Sequence, residues 1–453
     1  MKQSALLVDF YELTMAAAYY EFKPNAQATF DLFVRKLPKD RTFLIACGID
    51  DALGYLQNFS FSKEDIEYLK SFNFKPAFLR FLAKLKFTGD VWAVKEGTIV
   101  FAEEPILRIT APLCEAQLVE SYLLNTLNVQ IAIASKAVRV VMAAGQRPVY
   151  DFSFRRTHGV DAGLKAAKAS YIAGCYGTSN VLAGKLFNIG VVGTMAHSYV
   201  MSFDTELESF KAYAEIFPDQ SILLLDTYNY QDGIKNAISV ANQLKQKGFR
   251  LLGVRLDSGN LVRESKKIRQ LLKEADLGFV KIFASGNLDE YKIKSLVTQN
   301  AQINGFGVGT NMGVSADAPS CDVIYKMSEI TNKSGKFYPT MKFSQKKNTF
   351  PGRKQIYRFK SRDGQYRQDV LALEDEKIKA EPLLVKRMQA GRLLHPECAI
   401  DKTREFVRNQ LKKMPARFKE IKSKAAYPVK KSSRLKKMVL DISQNRKEKQ
   451  NIV

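Results

Sequence analysis

Between residues 145 and 325, short apolar runs alternate with amphipathic stretches. The runs are PVYDFSF (148–154), NIGVVGT (188–194), SILLLDTY (221–228), FRLLGVRLDS (249–258), GFVKIFAS (278–285) and INGFGVGT (303–310). Between them lie helical patterns such as QDGIKNAISVANQLKQKG and GNLVRESKKIRQLLKEADLG. A strand that is apolar throughout is buried on both faces, so these runs predict a parallel sheet covered by helices. The last four runs recur at roughly the length of a βαβ unit, and a chain of such units closes most naturally into a β/α barrel.

The flanking segments differ. Residues 1–125 mix a helical pattern (DFYELTMAAAYYEF) with strands (ATFDLFVRKL; FTGDVWAVKEGTIVFAEEPILRITAPL), which predicts an N-terminal α+β domain. The barrel then occupies 126–330. Residues 331–453 form a C-terminal extension: a Lys/Gly-rich loop, a strand (QIYRFKS) and a basic, mostly helical tail.

Composition removes several classes. Of the 453 residues, 46% are hydrophobic and 26% charged, near the globular average, so wholesale disorder is excluded. No uncharged apolar stretch approaches the ~18 residues of a membrane span. The start, MKQSALLVDFYEL, has no long apolar core or cleavage site, so no secretory signal is expected. The five cysteines (Cys47, Cys114, Cys175, Cys321, Cys398) are scattered and odd in number, which fits the cytoplasm. Three histidines (His158, His197, His395) argue against a multi-histidine metal site.

The net charge is +24, and residues 401–453, with 17 Lys/Arg and 5 Asp/Glu, supply +12 of it. Such an asymmetry suits nucleic acid, the attraction of polyanionic small substrates, or a solvated basic face.

The chemistry is expected at the C-terminal ends of the barrel strands. After PVYDFSF come Arg155 and Arg156. After NIGVVG come Thr194 and His197. The later runs end in Asp226; in Arg255, Asp257 and Ser258; in Ser285 and Gly286; and in Gly309 and Thr310. Arg255 and Asp257 are two apart on a strand, hence on one face. The pair reads as an anion clamp or as an ion pair on the barrel rim. GFGVGTN and SGN are glycine-rich after strands. Their backbone N–H groups could cradle a phosphate, or each could be a tight turn. Neither has the spacing of a P-loop or a dinucleotide fold. Without a GxSxG motif to serve, His197 reads as a general base or as a nucleophile toward a phosphoryl group. His158 is a rival, and His395 reads as structural.

Read together, VDFYELTMAAAYY, DFSFRRTHGVDAG, GTMAHSYV, VRLDSGNL, SGNLDE, FGVGTN and KNTFPGRKQIYR resemble nicotinate phosphoribosyltransferase, over about residues 5–360. The resemblance implies the type II phosphoribosyltransferase fold: an N-terminal α+β domain, an irregular α/β barrel and a C-terminal extension. It implies formation of nicotinate mononucleotide from nicotinate and 5-phosphoribosyl 1-diphosphate, coupled to ATP hydrolysis, with Mg²⁺ as cofactor, in a homodimer. His197 matches the histidine that ATP transiently phosphorylates. Tyr11, Arg155, Thr194 and Arg255 match nicotinate contacts, the tyrosine coming from the partner subunit. Thr310 matches a phosphoribosyl diphosphate contact, with Ser285, Gly286 and Gly309 nearby. Catalytic roles are thereby implied for His197, Arg155, Arg255 and Asp257; no metal ligand is assigned. Asn260 and Asn287 stand where the family usually carries Asp. The basic tail beyond about 400 is left unexplained. Competing readings are a nicotinamide or quinolinate phosphoribosyltransferase, and a basic nucleic-acid-binding protein on an inactive barrel.

Overall fold

The computed structural model describes residues 4–342 and 349–450, the side chains of 446–450 excepted. Lys347 and Asn348 of the KNTFPGRKQIYR motif therefore lie outside the described residues. The chain forms two compact units: residues 133–319, and residues 1–132 together with 320–453.

The first of these is the barrel. Its strands are β1 (Val149–Asp151), β2 (Gly177–Thr178), β3 (Ile222–Leu224), β4 (Gly253–Leu256), β5 (Lys281–Ala284) and β6 (Gly305–Val308). They pair in the order β2-β1-β6-β5-β4-β3, and every pairing is parallel. The expected helices follow β3 and β4 at Tyr230–Gln246 and Leu261–Glu274. The run 188–194 is not a full strand: Val191 makes a single parallel bridge to Thr178. Pairing on β1 stops at Asp151, and Phe154–Arg156 turn as a short 3₁₀ helix, so Arg155 and Arg156 are not strand residues.

Alternation along each strand sorts the side chains. Leu223, Val254, Leu256 and Ile282 point outward and are buried against the helices with Ile234, Ala237, Val240 and Ile268. Inward-facing residues include Arg255 and Ile222, aromatic rings and glycines. A Cβ on Gly307 would come within 2.5 Å of the Phe152 ring, and one on Gly253 within 2.8 Å of Phe283. Close packing leaves no room for both, so glycine on one strand makes space for a ring from another.

The other unit carries a seven-stranded antiparallel sheet. Val323–Thr331 and Pro105–Pro112 flank Gln27–Val34 along its whole length. A smaller sheet pairs Lys354–Lys360 with Tyr366–Leu373 and adds Val429–Lys431 in parallel. One stretch, Leu113–Ala144, is long and apolar enough to cross a membrane by length and composition, but its apolar window is 78% buried in protein, as a core helix is.

The basic tail is not merely a solvated face. It forms the helices Ile400–Lys413 and Ser433–Gln450. Gln410 accepts from the Ile99 N–H (3.0 Å) and donates to the Gly97 carbonyl (2.8 Å), all buried. Tyr427 stacks on Phe101 at 3.8 Å and donates to Asp369, which the buried Arg358 grips with two nitrogens. Gln410→Ala would strand both backbone groups, and unfolding measurements should show a loss of about 1–3 kcal/mol.

Two glycines separate conformational strain from crowding. Gly286, just after β5, has φ +87°, and a Cβ there would lie 1.8 Å from the Asp257 carbonyl oxygen. Gly248 has φ +84° with nothing within 4 Å. Thermal unfolding should show Gly248→Ala losing about 1 kcal/mol for the left-handed backbone alone. Gly286→Ala should lose several-fold more, because the 285–287 loop must move off β4. Equal losses would mean the close approach is not rigid.

Candidate active site

Two cavities of about 370 and 340 Å³ lie in the barrel, and both are lined by Phe152, Gly193, Thr194 and Arg255. The second takes residues from five strands: Tyr150, Ile222, Arg255, Phe283 and Gly307 are among its walls. The sheet thus curls round a common interior. The first cavity adds Phe154, Arg155, His197 and Asp257 at the C-terminal ends of the strands.

Thr194, His197, Arg155, Arg255 and Asp257 therefore meet at one cavity, although up to 102 positions separate them in sequence. Of the arginine pair, Arg155 lines the cavity; Arg156 is exposed and does not. Arg255 donates from Nη1 to Thr194 Oγ1 at 2.5 Å. Its Nε is buried with no partner among the described residues. Burial acts to lower the Arg255 pKa, the Asp257 and Asp226 carboxylates act to raise it, and Arg155 to lower it; the direction overall is down. An arginine stays charged regardless, so a half-buried cation with an unused N–H faces the cavity system.

The two carboxylates beside it are each anchored. Asp226 Oδ2 accepts from Ser258 Oγ at 2.6 Å, while its Oδ1 is buried without a partner among the described residues. Asp257 accepts from Ser285 Oγ. Tyr230 donates to the Ser258 carbonyl at 2.6 Å, and burial, then Asp226, push its pKa up to about 12. His197 is half-buried at the start of a short helix, His197–Met201, and its Nδ1 lies 3.2 Å from Thr227 Oγ1. With Nδ1 engaged there, Nε2 is the nitrogen left for chemistry. Thr227 was not among the sequence candidates; its place next to Asp226, at a strand end, is the signal that could have found it. Phe152 and Phe154 were likewise missed as cavity walls.

The glycine loops adjoin this cluster. Ser285 lines the second cavity, and Gly286 packs on the Asp257 backbone. Gly309 precedes the short helix Thr310–Gly313, and a Cβ there would lie 3.2 Å from the Phe152 carbonyl oxygen. Asn311 donates to Asn287 Oδ1 at 2.9 Å, joining the two loops. Asn287 has φ +50°, which asparagine tolerates, and Asn260 caps the helix Leu261–Glu274 by accepting from the Arg263 N–H at 3.1 Å. Both asparagines thus hold loop geometry. Asp151 is buried under the arginine turn, taking bonds from Ser153 and Thr178; burial raises its pKa and those bonds oppose the rise.

Two histidines stand apart: His158 and His395 are exposed and line neither cavity. Tyr11 belongs to the other unit, on the helix Phe10–Phe22, half-exposed; burial and then Glu120 and Glu12 raise its pKa, so the phenol stays protonated. Among the described residues no cluster of three His, Cys, Asp or Glu could hold a metal ion by protein ligands alone.

Comparison with known proteins agrees with this geometry. Residues 6–128 match the nicotinate phosphoribosyltransferase N-terminal domain, 148–359 the nicotinate phosphoribosyltransferase family and 377–439 its C-terminal domain. The last match corrects the expectation that the family leaves the basic tail unexplained. The nicotinate phosphoribosyltransferase pncB2 of Mycobacterium tuberculosis is 43% identical over 434 residues, 95% of this chain and 92% of that protein. The Bacillus subtilis nicotinate phosphoribosyltransferase is 38% identical, over 86% of this chain and 79% of its own. The crystal structure of human nicotinic acid phosphoribosyltransferase superposes with a TM-score of 0.86 at 28% identity, covering 96% of this chain and 99% of that one. With its parallel barrel, its strand-end cluster and all three domain matches in order, the chain belongs to the nicotinate phosphoribosyltransferase family.

Proposed function

We propose that this chain joins nicotinate to 5-phosphoribosyl 1-diphosphate, releasing diphosphate, and that ATP drives the reaction through phosphorylation of His197. The observation that carries the reading is Arg255: a half-buried guanidinium, set by Thr194, whose buried Nε has no partner among the described residues. A planar carboxylate satisfies such a fork, and Arg155 on the same cavity can take its other side. Phe152 and Phe154 supply aromatic walls for a pyridine ring.

The nicotinate ring nitrogen attacks C1 of the ribosyl group as the C1–O bond to diphosphate breaks, and the bond's electrons leave with the diphosphate. The transition state is oxocarbenium-like, so catalysis is mostly positioning and charge stabilisation. The loops at Ser285–Gly286 and Gly309–Thr310 would hold the diphosphate through backbone N–H groups other than that of Ser285, which donates to the Leu256 carbonyl at 2.8 Å. Mg²⁺ fits the donor set, since it is usually held by one or two carboxylates plus substrate phosphates, and the unpartnered Asp226 Oδ1 with Asp257 would supply them. When bound it would neutralise charge developing on the leaving diphosphate. His197 takes the γ-phosphoryl group on Nε2 as ADP leaves, and water later releases phosphate. The added charge at the cavity rim would bias the neighbouring loops.

Tyr11 is proposed to reach nicotinate across a homodimer interface. The exposed Val181, Leu182 and Leu186 on one short helix are apolar surface that association would cover. The odd, scattered cysteines support a cytoplasmic location. Nothing at the site favours nicotinamide or quinolinate over nicotinate. A nucleic-acid role draws only on a tail that the structure uses for folding.

The deciding assay supplies nicotinate, 5-phosphoribosyl 1-diphosphate and Mg²⁺ with and without ATP, and follows nicotinate mononucleotide, with nicotinamide in parallel. ATP-stimulated product from nicotinate alone is expected; product from nicotinamide instead would overturn the substrate assignment. His197→Asn should lower ATP-stimulated turnover by about 10²-fold or more and abolish acid-labile labelling from γ-labelled ATP. Normal ATP-stimulated turnover in that variant would remove the phosphohistidine from the scheme. Arg255→Lys keeps the charge but loses the fork. Steady-state kinetics should show the nicotinate KM rising about 10–100-fold, with that for 5-phosphoribosyl 1-diphosphate changed far less.

A further inference from the structure

Beneath the two glycine loops lies a set of charges that the chemistry does not use. Lys136, on the helix Glu120–Ala144, is 2% exposed. Its Nζ lies 2.5 Å from Glu290 Oε2 and 2.7 Å from Asp317 Oδ1. Glu290 is fully buried, and its other oxygen takes Arg139 Nε at 3.0 Å. Lys136 and Arg139 are three apart on the helix, hence on one face. Two cations and two carboxylates balance, which is the condition for burying them at all.

The placement of the carboxylates matters most. Glu290 opens the helix Glu290–Thr298, directly after the Ser285–Asp289 loop. Asp317 ends the segment that begins with Gly309 and Thr310. That segment is folded back on itself, since the Ala316 N–H donates to the Asn311 carbonyl at 3.1 Å and Ser315 Oγ to the Ala318 carbonyl at 2.8 Å. A single buried ammonium therefore touches the C-terminal side of both loops. On their exposed side, Asn311 bonds Asn287, and Lys292 donates to the Asn287 carbonyl at 2.8 Å.

We infer that Lys136 is a positioning residue that locks the two diphosphate-binding loops into one rigid cradle, with Glu290 and Asp317 as its two attachment points. The inference rests on the proposed assignment of these loops to diphosphate. Lys136 does not touch substrate; it sets the spacing between two sets of backbone donors. A cradle whose halves drift by a fraction of an ångström loses anion affinity more than it loses any step involving the pyridine.

The test uses the full chain and separates loop spacing from folding. Asp317→Asn keeps the shape of a partly exposed side chain and removes the charge facing Lys136. It should raise the KM for 5-phosphoribosyl 1-diphosphate about tenfold, with the nicotinate KM unchanged and Tm nearly intact. Lys136→Met should raise the same KM further and lower Tm. Adding Glu290→Gln to Lys136→Met should recover part of the Tm without recovering the KM. An unchanged KM for 5-phosphoribosyl 1-diphosphate in Asp317→Asn, in an enzyme that turns over nicotinate, overturns the inference. If the wild-type chain makes no product, the proposed function fails instead. Calorimetry with inorganic diphosphate then decides: weaker binding to Asp317→Asn supports the cradle, and equal binding overturns it.

Discussion

A guanidinium held in the mouth of a barrel sets most of what this structure must do. Arg255 sits on a strand whose outward neighbours, Val254 and Leu256, are fully buried. The strand cannot shift without exposing that core, so the cation is fixed relative to the cavity. Desolvation of such a group is costly unless charges and hydrogen bonds compensate it. Thr194 takes one nitrogen, and Asp226 and Asp257 supply the opposing field. Each of these carboxylates is itself tied to a serine hydroxyl. The compensation is thus incomplete by one N–H among the described residues, and on the proposed function a substrate carboxylate would complete it.

Glycine sets the remaining dimensions. A barrel of few strands has little interior, and a ring facing a ring across it would close the cavity. Gly253 and Gly307 give Phe283 and Phe152 their space, so aromatic walls and an open cavity coexist. Gly286 does the same for backbone, letting the loop after β5 lie on the end of β4. Without it, Ser285 could not reach Asp257. The strand-end cluster is accordingly one packed layer.

The alternation of apolar runs with helical patterns made the parallel sheet legible, and the rule that barrel chemistry sits at strand ends located Thr194, His197, Arg255 and Asp257. Two things were less legible. Periodicity carried PVYDFSF on as a strand, whereas Asp151 takes the Ser153 N–H and hydroxyl and turns the backbone, delivering Arg155 from a 3₁₀ helix. A short polar side chain bonding its own backbone two residues on competes with the ladder, and hydrophobic pattern does not report it. The tail misled in the opposite sense. Its charge was read as surface, yet Gln410, Phe418, Tyr427 and Leu435 are buried. Lysine-rich helices can bury one face while their charges stay in water, so charge counting sees only the other face.

That distinction bears on how a chain of net charge +24 handles anionic substrates. The charged side chains at the strand ends are two arginines, Arg155 and Arg255, and two aspartates, Asp226 and Asp257, and Lys281 on the wall of the second cavity adds one more cation. Local net charge is therefore small and a weak selector of anions there. On the proposed function, selection follows from donors without a partner among the described residues, such as Arg255 Nε. The excess positive charge lies elsewhere and acts over distances near a Debye length, about 8 Å at physiological salt. It can raise the rate at which diphosphates and carboxylates arrive, and that part fades with ionic strength. What they meet on arrival is fixed by geometry.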